Sequence, residues 1–314
     1  MLKIIKITIE SPWFKWVIRL FVSVGLFAFI LKKVEFNLVL QSLSQVHLLP
    51  VLTALVLTFC AWIPASRRFL KILAAFDYHL RFGEVYKMNL IASCFNFAVP
   101  GQVAGEFVRY RFINKGLAEK KGTSVALVLT DRILGLICLV ILAFVLWLSV
   151  LLTDKYALFV GLGLFFLFAL FFGFLIWISS RYIFPDVGDH NSGWKGAIDT
   201  FLRPLFLRNP KLIFELVSCS LAFHLITACV TWQSGVAVGV TLPLVQWVLL
   251  YSLASLAQTL PVAVGGFGVR EGVFAAYLGH LNVPLEFALA ASLLTFLLYA
   301  FLALIGGVLY ATCR

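Results

Sequence analysis

Charged positions along this chain are sparse and clustered. No Asp, Glu, Lys or Arg occurs from Leu216 to Val269, and a second uncharged run covers Gly272 to Leu285. Other uncharged runs are Leu48–Ser66, Ile133–Thr153, Tyr156–Ser180, most of Leu216–Pro243, and Phe287–Cys313. Their lengths suit the roughly 20 apolar residues that cross a bilayer as a helix. A further span, about Trp13–Leu31, carries Lys15 and Arg19 near one end, where long side chains reach back to the interface. The pattern predicts an all-α polytopic membrane protein, with about six transmembrane helices in a single integral membrane domain, 1–314. Composition agrees, because 62% hydrophobic and 12% charged residues leave too little polar surface for a soluble domain. The first apolar run follows Lys3, Lys6 and Lys15 and has no small-residue cleavage site, so it reads as an anchor and not as a removed signal peptide.

The basic residues set an orientation. With the N-terminus in the cytoplasm and six spans crossing at these runs, all but five of the 25 Lys and Arg residues fall on cytoplasmic segments. These include Arg67, Arg68 and Lys71, then Arg109, Arg111 and Lys115, and the loop 181–211. Lys32, Lys33 and Lys155 face outward, and Arg132 and Arg270 remain inside the membrane region. That bias is what short loops show under the positive-inside rule, and it puts both termini at the cytoplasmic face of a cell membrane. The net charge of +11 therefore reports topology and contact with anionic lipid headgroups at that face, not nucleic acid.

Chemistry-bearing motifs are few. The six cysteines lie in apolar stretches without a CxxC pair and read as small buried hydrophobes. The five histidines show no metal-ligand spacing, and His224, within a span, reads as a hydrogen-bonded core residue. The stretch GDHNSGWKG resembles a phosphate-binding loop, but Trp194 stands where the lysine is required, which excludes a nucleotide site. No metal or other cofactor is expected.

Two segments fall outside the six-span count, and they resemble each other. AVPGQVAGE, from Ala98, aligns with AVGGFGVRE, from Ala263, with four of nine positions identical, including Glu106 and Glu271. Each has an apolar arm, a Pro/Gly break (Pro100-Gly101 and Gly265-Gly266), and a second arm opening with charge. At 1.5 Å per residue, arms of this length fall short of the roughly 30 Å hydrocarbon core. Two re-entrant helical hairpins in an inverted repeat would result, with half-repeats of about 13–150 and 156–312. Two kinked spanning pairs would give the same pattern.

In the hairpin reading, the second arms start at depth, where their N-terminal amides and the Arg270 fork would meet an anion. Glu106 and Arg109 share a helix face, whereas Arg270 and Glu271 are adjacent and diverge by about 100°. Asp131-Arg132 supplies another opposed pair. Such charges either pair with one another or line a wet cavity.

NFAVPGQVAGEFVR, TDRILGL at Thr130–Leu136, and LPVAVGGFGVREG resemble the transmembrane region of lysylphosphatidylglycerol synthases and their stand-alone, flippase-like relatives. The resemblance runs through essentially the whole chain, and Gly-Gly-x-Gly-x-Arg-Glu is its most specific element. It implies lipid binding, movement or handling, with Pro100, Gly101, Gly105, Glu106, Arg109, Asp131, Arg132, Gly265, Gly266, Gly268, Arg270 and Glu271 as matching positions. The longest hydrophilic loop, 181–211, is too small for an aminoacyl-transfer domain, so synthase activity is not expected.

Three functions remain open: a flippase for an anionic phospholipid or glycolipid, an enzyme or accessory protein of glycolipid or polyprenyl-phosphate metabolism, and a carrier of small anions. A homo-oligomer is compatible with each. The topology has a direct test. In a cysteine-free background, single cysteines at Lys115 and Asn209 should resist a membrane-impermeant reagent in intact cells, while one at Asp154 reacts. Labelling of position 115 from outside would overturn the orientation.

Overall fold

The computed structural model describes residues 46–98, 104–114, 121–151, 210–259 and 268–312. The expected spans at 13–31 and 156–180, most of the 181–211 loop, and the breaks at Pro100-Gly101 and Gly265-Gly266 lie outside the described residues. Among the described residues there are eight helices and no strand. They are α1 (Leu48–Ala75), α2 (Phe82–Ala98), α3 (Ala104–Asn114), α4 (Lys121–Leu151), α5 (Pro210–Ala237), α6 (Leu244–Thr259), α7 (Val269–His280) and α8 (Leu285–Thr312).

Four of these are long and apolar enough to cross a membrane: α1, α4 over Leu127–Leu148, α5 and α8. The helices outrun the uncharged stretches that predict them. α1 continues past Ser66 through Arg67, Arg68 and Lys71, and α4 begins at Lys121, well before Ile133. A helix satisfies its own backbone and does not stop where side chains turn polar. Asp131 and Arg132 consequently lie inside α4 and not at its edge. The other four helices have 17, 11, 16 and 12 residues. Helices of that length reach only about 17–26 Å, less than the bilayer core.

α1 packs along α5, α2 beneath α8, and α6 against both α4 and α5. One apolar core joins Trp247 of α6, Phe274 and Leu278 of α7, and Ala288–Ala291 of α8. A second joins Phe69, Ile72 and Leu73 of α1 to Val85 and Met88 of α2, Ile113 of α3, Leu127 of α4 and Leu216 of α5. The opposite faces expose Leu52, Val56, Ile141, Phe144, Phe214, Phe301 and Leu304. Water would oppose so much apolar surface, whereas lipid tails match it.

Where helices meet without a hydrophobic drive between them, close backbone approach does the work, and glycine permits it. A Cβ on Gly306 of α8 would strike the Leu90 carbonyl of α2, and one on Gly235 of α5 would enter the Trp247 ring. Gly272 of α7, by contrast, has open space around it. Gly306→Ala should therefore destabilise the α2–α8 contact by roughly 1–3 kcal/mol, seen as a lower thermal midpoint in detergent. Gly272→Ala should be neutral or slightly stabilising. Equal midpoints for the two variants would contradict this packing.

Candidate functional site

The sparse charges converge in the interior. Asp131 of α4 is only 2% exposed and uses both carboxylate oxygens. Its Oδ1 accepts from Arg68 Nε at 2.6 Å, and its Oδ2 from Arg109 Nη2 at 2.9 Å. Arg109 also reaches Glu106 Oε2 at 3.1 Å, one turn earlier on α3. The remaining Glu106 oxygen accepts from Arg132 Nη1 at 2.9 Å. The result is an alternating chain, Arg68–Asp131–Arg109–Glu106–Arg132, that ties α1, α3 and α4. Arg68 Nη1 extends it to Ser220 of α5 at 2.8 Å. Arg109 stacks over the Phe69 ring, 4.1 Å from its centroid, so a π face supports the cation where water cannot.

A second charged unit lies at the start of α7. Gly268 precedes the helix with φ +84°, a backbone that side chains with a Cβ rarely adopt. Its N–H donates to Glu271 Oε2 at 2.7 Å. The other Glu271 oxygen accepts from Arg270 Nη2 at 2.5 Å. Arg270 Nε donates to Ser292 Oγ of α8 at 3.0 Å, and the guanidinium lies over Phe296. The expectation that Arg270 and Glu271 diverge is corrected here. Their Cα–Cβ directions differ by helical geometry, but two long side chains at a helix start bend back and meet. In the same way Gly105 N–H at the start of α3 is already taken, by Asn96 Oδ1 of α2 at 2.7 Å. These two amides are thus engaged within the protein.

Arg68, Glu106, Arg109, Asp131, Arg132 and Arg270 all line one cavity of about 350 Å³. Its remaining wall mixes aromatic and neutral polar residues, Trp62, Phe97, Tyr251 and Gln258 among them, with aliphatic ones such as Leu136 and Leu139. His224 also faces it, bonded to the Tyr251 hydroxyl and the Gly135 carbonyl, each at 2.9 Å. Nε2–H must donate to the carbonyl, so Nδ1 accepts from Tyr251, as a hydrogen-bonded core histidine does. Glu271 stands behind Arg270 and does not line the cavity.

All six oxygens of the three carboxylates therefore accept a hydrogen bond from the protein. Four guanidiniums and three carboxylates make up these two units. The four arginines line the same cavity, and planar guanidinium forks of this kind can hold an anion.

Of the residues singled out from sequence, Glu106, Arg109, Asp131 and Arg132 come together, and Arg270 joins them across the cavity. Gly105 and Gly268 open α3 and α7. Pro100, Gly101, Gly265 and Gly266 lie outside the described residues. Arg68, which the sequence places with Arg67 and Lys71 at the charged end of α1, is buried and bonded to Asp131. Its spacing held a signal: Ala61, Ala65, Arg68 and Ile72 recur at helical intervals on the buried face of α1. Ser220, Ser292 and Asn96 gave none, since their partners are distant in sequence.

Fold and cavity define a helical membrane protein with an arginine-rich interior. The model of the lysylphosphatidylglycerol synthase transmembrane region matches residues 16–307, and the chain belongs to that family. No curated protein matches the chain significantly.

Removing Asp131 leaves two buried guanidiniums without their shared counter-charge. Asp131→Asn should cost roughly 3–5 kcal/mol of stability. Lys71→Ala breaks the exposed Lys71–Glu215 pair and should stay within about 1 kcal/mol. Thermal unfolding in detergent compares them, and a wild-type midpoint for Asp131→Asn would refute the buried network.

Proposed function

We propose that the protein is a lipid translocator that takes an anionic headgroup into the arginine-lined cavity while the acyl chains stay in the bilayer. One observation carries this reading: every carboxylate oxygen of the two charged units is engaged, and the guanidiniums of Arg68, Arg109, Arg132 and Arg270 line one cavity. A phosphate offers the acceptors and the negative charge that this arrangement lacks. The same saturation favours movement over chemistry, because a carboxylate with both oxygens bonded to donors is poorly placed as a general base. Synthase activity is accordingly not proposed.

The helix order supports an inverted repeat with two re-entrant hairpins. Long, short, short, long is the order of α1–α4, and again of α5–α8. Exchange of the halves, α1 with α5 through α4 with α8, maps the closely packed pairs onto one another. α2–α8 corresponds to α6–α4, α1–α2 to α5–α6, and α4–α5 to α8–α1, while α1–α5 maps onto itself. In each half the two short helices pack together, and a glutamate is the third residue of the second. Short arms meeting near the midplane around a substrate site are a transporter arrangement, and rocking of one half on the other would alternate access. A cell-membrane location with both termini cytoplasmic completes the proposal.

The test uses purified protein in sealed liposomes carrying a trace of tail-labelled anionic phospholipid. Lipid should cross between leaflets unmodified, without nucleotide, faster than in empty vesicles. Arg270→Lys keeps the charge, loses the fork, and should lower movement about tenfold or more per folded molecule. The double variant Arg270→Gln/Glu271→Gln removes the pair together and should recover stability but not movement. Full recovery in that double variant would reduce the pair to scaffolding, and formation of a new lipid product would instead favour an enzyme.

A further inference from the structure

We infer that His224 binds a proton together with the anionic headgroup, so that lipid movement is coupled to proton movement. The inference rests on the translocator reading and names the ion that travels with its substrate. His224 is buried and lines the same cavity as the four arginines, yet it belongs to neither charged unit.

The two halves make the same joint with different chemistry. The alignment that sets Ala98 on Ala263 also sets Phe59 of α1 on His224 of α5, and Tyr86 of α2 on Tyr251 of α6. Each tyrosine reaches back 27 residues to the matching position. Tyr86 donates to the Phe59 backbone carbonyl at 3.1 Å, and the Phe59 ring packs edge-on against Phe301 of α8. Tyr251 instead meets the His224 Nδ1 at 2.9 Å, and Nε2 meets the Gly135 carbonyl of α4. A backbone carbonyl and a phenyl ring therefore suffice to hold this joint in one half. The other half holds it with the side-chain type whose ordinary titration falls near neutral pH.

The surroundings let the ring gain a proton without moving it. In the neutral ring Nε2–H donates to the Gly135 carbonyl and Nδ1 accepts from Tyr251. A proton from cavity water can add to the Nδ1 lone pair, and Nδ1–H then donates to the Tyr251 oxygen. Tyr251 has to turn its own proton elsewhere, and the Thr227 and Ser255 oxygens lie within reach. Thr227 already donates to Phe223 O at 2.7 Å, so its oxygen is free to accept. No heavy atom shifts and no bond within the protein breaks. The proton returns to water when the headgroup leaves.

The charges around the ring decide when the proton binds. From α1 comes Arg68, whose guanidinium lies against Gly135. From α4 come Asp131, one turn before Gly135, and Cys138, which neighbours Ser220. Tyr251 faces the ring from α6, and Tyr299 of α8 stands near Thr227. An imidazolium beside Arg68 needs a partner anion, since Asp131 already gives both oxygens to arginines. A phosphate entering the cavity supplies one. Linkage makes the effect mutual, because the bound proton raises anion affinity by the same factor. Phosphate and proton together also cross the apolar bundle as a neutral pair, which an anion alone does not.

One test reads protons on binding. Short-chain phosphatidylglycerol is added to the full chain in weakly buffered detergent solution containing a pH dye. Wild type should take up about one proton per headgroup bound near neutral pH. Uptake should vanish in acid, where the free ring is already charged, and in alkali, where the bound ring stays neutral. His224→Gln keeps a donor and an acceptor but does not titrate, so it should bind more weakly and take up no proton. His224→Phe, which copies Phe59, gives the same readout if the glutamine variant unfolds. Binding by wild type without proton uptake, or undiminished uptake by these variants, would overturn the inference. Absence of binding would remove the anion-site reading beneath it. Equal binding and uptake with soluble glycerophosphoglycerol would keep the proton site and overturn the lipid as its partner.

A second test places the chain in sealed liposomes with a trace of tail-labelled phosphatidylglycerol and a difference of about one pH unit across the membrane. Label should gather in the leaflet facing the alkaline side, by up to about tenfold, and reverse with the gradient. Equal leaflets reached faster than in empty vesicles would overturn the coupling and leave the translocator standing. Movement no faster than in empty vesicles would remove the translocator reading, and the inference with it.

Discussion

Buried charge inside an apolar bundle is tolerated only when each ion has a partner, and this protein's interior is organised by that requirement. Asp131 draws Arg68 from α1 and Arg109 from α3 onto α4, and Glu106 draws Arg132 back towards α3. Three helices are thereby fixed in register. If any one partner moved by a helical turn, a charge would be stranded in a medium that cannot solvate it. The α7 unit obeys the same rule by a different route. Its arginine and glutamate are neighbours in sequence, and Ser292 and the Gly268 amide complete their bonding.

Within the two charged units every carboxylate oxygen is engaged, and four guanidiniums line one cavity between the helices. In the translocator proposal, the aromatic and neutral polar residues of the wall would meet the uncharged part of a headgroup. Lipid tails need no pocket of their own when the outer faces of α1, α4, α5 and α8 already meet the bilayer.

Glycines do two separate jobs. Gly306 and Gly235 let backbone and ring approach closely where helices cross, and any side chain there would separate them. Gly268 supplies the positive φ that starts α7 and aims its amide at Glu271. Both jobs are backbone properties, and both are set by the neighbours a glycine meets as much as by the glycine.

Sequence alone determined the membrane class, the four long helices among the described residues, the family, and the residue types able to make a charged site. Hydropathy over twenty residues is a local sum, and a charge within such a run stands out against it. Glu106–Arg109 was legible for the same reason, since helical periodicity relates positions three apart. Tertiary structure alone decided the partners. Arg68 looks like one of two interfacial arginines at a helix end until packing turns it onto Asp131, 63 residues away. Arg270 and Glu271 look divergent until their flexible side chains close on each other. Whether a charge is paired, surplus or open to a ligand depends on which distant helices lie beside it, and no local pattern encodes that.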